Sequence, residues 1–89
     1  MIGKIVKCDK TGDSVVAEFD TVAPETVKVA DATLTQFLED CVLKYGQEPP
    51  VWAKRVGEPD GAPFSAFDHN RESVGIAEEV LIAPPLVAG

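Results

Sequence analysis

These 89 residues hold no long apolar run, no paired cysteine motif and only one histidine. Each absence removes a class of function. No stretch approaches the roughly 20 apolar residues needed to cross a bilayer. Residues 1–10 carry Lys4, Lys7 and Lys10 without a continuous apolar core, so they do not form a signal peptide, and the expected location is the cytoplasm. Cys8 and Cys41 stand far apart, make no C-x-x-C pair, and with His69 as the single histidine supply no metal-ligand pattern. No nucleophile–base pair stands out, which argues against an enzyme with its own active site. The phosphate-cradling G-x-x-x-x-G-K-[ST] loop is missing, so any ATP chemistry belongs to another protein. Cations are scarce. Eight Lys and Arg face fifteen Asp and Glu, a net charge of −7 that repels phosphate backbones and excludes nucleic acid as the expected partner. The same charge suits encounter with a basic protein surface, although acidity also simply keeps a protein soluble.

What the chain does contain is enough apolar material, 45%, for one small domain. Residues 3–8 are rich in β-branched side chains and read as a strand. Residues 9–13 offer turn chemistry, and residues 14–20 read as a second strand, completing an N-terminal hairpin. Residues 25–31 are ambiguous. Val27 and Val29 alternate with Thr26 and Lys28 as in a strand, yet the same valines extend a helical stripe. The density of residues stiff at χ1 favours the strand. From Leu34 to Tyr45 the residues Leu34, Phe37, Leu38, Cys41, Val42 and Tyr45 lay one stripe along a helix, with Cys41 a core position. Thr33 with Gln36 forms a potential capping box, Asp40 and Lys44 a favourable charged pair, and Gly46 a left-handed end before Pro49 and Pro50. Leu43 falls off the stripe.

Beyond Pro50, residues 51–56 read as a strand and residues 57–63 as a turn set by Pro59 and Gly61. Residues 64–67 form a short strand or bend, residues 68–73 a polar loop in which Asp68 and His69 are turn residues, and residues 80–83 a last strand. One amphipathic helix needs a sheet to cover, and one sheet needs that helix. The expected fold is therefore α+β: a β-grasp (ubiquitin-like) body of four to five strands in a mixed sheet on one main helix, over residues 1–83. Residues 84–89 are expected to form a flexible, extended tail.

The terminal run Glu78-Glu79-Val80-Leu81-Ile82-Ala83-Pro84-Pro85-Leu86-Val87-Ala88-Gly89 resembles the end of the ubiquitin-like sulfur carriers, including the small subunit of molybdopterin synthase and the thiamine-type carriers. These close with an acidic pair, a short apolar strand, two prolines and Gly-Gly. Residues 25–45 are similar to the same family, and residues 65–69 echo its last loop more weakly. Ala88 departs from the pattern, standing where the family has Gly. The resemblance implies a carrier, or a small non-catalytic synthase subunit, that binds no cofactor itself. An E1-like adenylating enzyme would use ATP to activate the Gly89 carboxylate for thiocarboxylate formation in cofactor or amino-acid biosynthesis. Pro84, Pro85, Leu86, Val87 and Ala88 would thread into that partner. Further partners implied are a larger synthase subunit or a target protein, with no membrane involved.

The chemistry of the run fits that role. Gly89 has no Cβ to obstruct a narrow channel, and Pro84 and Pro85 restrict the arm they begin. Two alternatives stay open: a protein modifier joined to targets through Gly89, and a β-grasp binding module that is never conjugated. In the last strand, Val80 and Ile82 should face one way and Leu81 and Ala83 the other. Trp52 and Lys54 share a face of the preceding strand, so Trp52 is either core or, with Lys54 and Leu81, part of a partner-docking surface. Glu78 and Glu79 read as strand-edge charge with side chains on opposite faces.

Overall fold

A computed structural model describes residues 1–9 and 12–83. Five strands and one main helix appear in the order β1 (Ile2–Asp9), β2 (Gly12–Asp20), α1 (Pro24–Tyr45), β3 (Val51–Arg55), β4 (Ser65–Ala66) and β5 (Ala77–Ile82), with a 3₁₀ turn at Val74–Ile76 before β5. The sheet runs β2-β1-β5-β3-β4, with β1 and β5 parallel and the remaining pairs antiparallel. This is a mixed five-stranded sheet packed on one helix with an N-terminal hairpin, compatible with the β-grasp fold.

The helix begins earlier than the valine-rich run implies. Residues 25–31 are its first turns, not a strand. Pro24 presets φ at the first helical position, where its missing N–H costs nothing. Val27 then packs against the core and Ala30 is buried, which continues the stripe through Leu34, Leu38 and Cys41. Val29 is left 67% exposed, so strand alternation of the two valines does not exist here. β-branched residues cost a helix at most about 0.7 kcal/mol each, whereas burying one large apolar side chain gains about 1.5–3 kcal/mol. The stripe therefore wins.

Three smaller corrections follow from the same register. Thr33 lies inside the helix, where its hydroxyl donates back to the Val29 carbonyl at 2.9 Å, and the N-cap is Ala23, with no side-chain cap. Asp40 accepts from Gln36 at 3.0 Å rather than pairing with Lys44, whose Nζ lies 5.3 Å from the Tyr45 ring centroid. Val42 is 40% exposed and Leu43 86%, so the buried stripe is narrower than the periodicity indicates. The end is as expected: Gly46 takes φ 81° and its N–H bonds to the Val42 carbonyl at 2.8 Å. A side chain there would carry the left-handed penalty.

One core joins these elements. Ile5, Phe19, Leu34, Leu38, Val51, Ala53, Val80 and Ile82 pack between α1 and the sheet, closed by Phe67 and Val74. Asp31 ties the helix to the last loop. Its carboxylate accepts from the Ser73 hydroxyl at 2.7 Å and from the Val74 N–H at 2.8 Å, which seats the 3₁₀ turn. No helix among the described residues is long and apolar enough to cross a membrane.

Candidate functional site

Along β3, Val51 and Ala53 are buried in the core, so Trp52 and Lys54 emerge on the opposite face of the sheet. Along β5 the same alternation buries Val80 and Ile82 and turns Leu81 outward. Trp52 and Leu81 are direct cross-strand partners. The structure thus brings together the three residues expected to form a docking surface, and it places Trp52, 38% exposed, outside the helix-packed core.

The row continues beyond what the sequence reveals. Leu81 stands beside Val6 in the parallel β1–β5 pairing, and Val6 stands opposite Val15. An apolar line Val15–Val6–Leu81–Trp52 therefore crosses four strands, about 14 Å at ordinary strand spacing. Val15 is 54% exposed, whereas Val6 is almost covered although its neighbour Ile5 occupies the core side. Alternation within residues 4–6 marks Val6 as outward-facing. Its place beside Leu81 depends on a parallel pairing that no local pattern announces.

A row of charge runs alongside. Glu18 pairs with Lys4, Lys4 with Glu79, and Glu79 with Lys54 in the strand register, so signs alternate across the sheet. Opposite charges at directly paired positions stabilise each other. The expectation for Glu78 and Glu79 is corrected in two respects. β5 lies inside the sheet rather than at its edge. In addition, the register skips Glu78 between the Lys54–Glu79 and Arg55–Ala77 pairs, a bulge that breaks the alternation. Glu78 thereby reaches Lys54, with Oε1 2.9 Å from Nζ, while Asp60 approaches the same ammonium at 3.6 Å. The hydrogen bond to Glu78 chiefly holds Lys54 above the ordinary lysine pKa, against a smaller opposing effect of burial.

Arg55, the residue after the bulge, organises the far end. Its guanidinium donates to the Ser65 hydroxyl, to the Ala66 carbonyl at 3.1 Å and to Glu72 Oε2 at 2.8 Å. The other Glu72 oxygen accepts from the Asp68 N–H at 3.2 Å. Arg55, and then the Asp68 amide, hold Glu72 below the usual carboxylate pKa. Asp68 is a turn residue as expected, its carboxylate accepting from the Asn70 N–H at 2.9 Å. His69 is also a turn residue, but it is largely covered rather than solvated. Its side chain is 14% exposed and Nε2 lies 3.0 Å from Glu48 Oε1.

Cys41 is buried, and burial pushes its thiol pKa up, which is the setting of a packing residue rather than of a nucleophile. Among the described residues no three His, Cys, Asp or Glu side chains group to hold a metal ion. Pro84, Pro85, Leu86, Val87, Ala88 and Gly89 lie outside the described residues. No family model, curated protein or solved structure matches this chain.

Proposed function

We propose that this protein is a ubiquitin-like carrier that docks through the outer face of its sheet and offers the Gly89 carboxyl group to an activating enzyme. The apolar line ending in Trp52 carries the reading. An exposed tryptophan aligned with apolar neighbours, beside fixed charge, is the composition of a protein-docking surface. Leu81 of that line also stands only three positions before Pro84 in the sequence, so the docking face and the carrier arm belong to one continuous segment. The resemblance of residues 78–89 to the sulfur carriers supports the chemical half of the proposal.

In that chemistry a Gly89 carboxylate oxygen attacks the α-phosphorus of ATP held by the E1-like partner, and pyrophosphate leaves. A persulfide or sulfide sulfur from the partner system then attacks the acyl carbon and expels AMP; a persulfide donor needs reductive cleavage of its S–S bond to release the thiocarboxylate. The carrier supplies a slim terminus and the docking face, and the partner supplies ATP and sulfur. A second reading, the non-conjugated binding module, uses the same Trp52 face and leaves Gly89 idle.

Co-expression with candidate E1-like enzymes, followed by intact-mass measurement with ATP and a sulfur donor, separates the two readings. Exchange of one carboxyl oxygen for sulfur is the expected result. Trp52→Glu should slow that exchange by about tenfold or more at subsaturating partner, in line with loss of a central aromatic anchor. An unchanged mass, with partner binding that survives deletion of Ala88 and Gly89, overturns the carrier reading in favour of the module.

A further inference from the structure

The two edges of the sheet are unequal. β4 is two residues long, and the Arg55 guanidinium already occupies the Ala66 carbonyl, so that edge offers no template. β2 has nine residues and, among the described strands, is paired with β1 alone. Natural edge strands are commonly blocked by lysine or proline, and β2 contains neither; its charged residues are Asp13, Glu18 and Asp20.

One rung of this edge is already filled by a side chain. The Asp20 N–H donates to Thr26 Oγ1 at 2.9 Å, and the same oxygen lies 3.1 Å from the Asp20 carbonyl. Thr26 of α1 therefore takes the Asp20 N–H as a neighbouring strand would, while its own proton lies between the Ala23 carbonyl at 2.7 Å and the Asp20 carbonyl. In an antiparallel strand the N–H and C=O of one residue point to the same side and recur at every second residue. The backbone groups of Glu18 consequently point to the open side, one rung beyond Thr26. A groove of about 330 Å³ opens at this point, lined by Glu18, Glu25, Thr26 and Val29. Neither Glu18 nor Glu25 forms an ion pair among the described residues.

We infer that the β2 edge is a second docking site, which receives an extended basic peptide segment of another protein as a sixth strand starting at the Glu18 rung. Strand addition supplies affinity through main-chain hydrogen bonds, and side-chain pockets supply selectivity. Here Val29 receives an apolar side chain, while Glu18 and Glu25 select lysine or arginine. A second copy of this chain paired about the Glu18 rung is the wrong occupant, because that register sets Glu18 against Glu18 between two molecules that each carry a net charge of −7. The site shares Glu18 with the charge row beside the apolar line, but it lies at the β2 edge, three strands from Trp52, and does not depend on the fate of Gly89.

The test uses the full chain and a synthetic peptide alternating lysine and valine, of the same length as β2. Amide hydrogen exchange is read by NMR with and without peptide. The expected result is slowed exchange at Glu18 and its neighbours in β2, with little change at Trp52 and Leu81. A peptide N-methylated at alternate residues keeps its charge but loses the ladder, and should bind at least about tenfold more weakly. The variant E18Q/E25Q preserves shape and should lose affinity for the unmethylated peptide, with E18K/E25K losing more. Equal binding of the N-methylated peptide reduces the effect to simple charge and overturns the site. Protection centred on the Trp52 face, absence of binding, or sedimentation as a β2-paired dimer overturns it equally.

Discussion

Lys54 Nζ lies 2.9 Å from Glu78 Oε1, although the residue opposite Lys54 in the strand ladder is Glu79. The bulge in β5 is what brings Glu78, rather than the ladder partner Glu79, to the ammonium. This fixes an alkaline dependence. The folded-state pKa of Lys54 is raised, mainly by the Glu78 bond, so its contribution to stability is full below the unfolded value of about 10.4 and is lost as pH rises through the folded value. Lys54→Gln is expected to flatten the loss of stability above pH 10, as measured by urea denaturation across that range. An alkaline limb identical to the parent's would refute the assignment.

Glu72 gives the opposite dependence. Its pKa is lowered by Arg55 first and by the Asp68 amide second. Stability from this group is present above the unfolded value of about 4.3 and disappears as pH falls through the folded one. Glu72→Gln should therefore shrink the difference in denaturation midpoint between pH 6 and pH 3. If the acid limb is unchanged, the Arg55–Glu72 pair does not persist in solution.

Gly3 is required by a close approach. A Cβ there would stand 2.5 Å from two carbons of the Phe19 ring and 3.1 Å from the Ala77 carbonyl oxygen. Phe19 is 2% exposed and has little room to retreat. Gly3→Ala is expected to cost about 1–3 kcal/mol in chemical denaturation, as overpacking does. A neutral result would show that the ring repacks freely.

The two faces of the sheet should respond differently to truncation. Leu38→Ala, at a buried helix position, is expected to cost about 2–5 kcal/mol. Trp52→Ala, on the outer face, should cost under about 2 kcal/mol, because much of its ring already meets water. Thermal or urea unfolding ranks the pair, and a Trp52 cost equal to that of Leu38 would argue against a surface role.

These contrasts show which physical signals a local sequence carries. The helix stripe, the Gly46 end, the hairpin and the shared face of Trp52 and Lys54 follow from periodicity and turn chemistry, which act over a few residues; that this face points away from the core is a tertiary fact. The fate of residues 25–31 turns on whether Val27 and Ala30 find a core beneath them, a tertiary fact that overrides β-branching. The bulge at Glu78 and the alignment of Val6 with Leu81 depend on how β5 sits between β1 and β3, and no short window contains both partners. The Arg55 cluster joins β3, β4 and the loop at residues 68–73 across long separations, so it too was invisible in the sequence. The proposed carrier role of residues 84–89 rests on resemblance alone, and those residues lie outside the described ones.

The position of β5 has a consequence for biosynthesis. The last described strand to leave the ribosome is the one that joins the β1–β2 hairpin to the β3–β4 pair. Until residues 77–82 emerge, the nascent polypeptide consists of two sheet fragments without the strand that unites them. Closure of the sheet thus awaits residues 77–82, and a stop before Ala77 leaves the two strand pairs without the strand that joins them in one sheet.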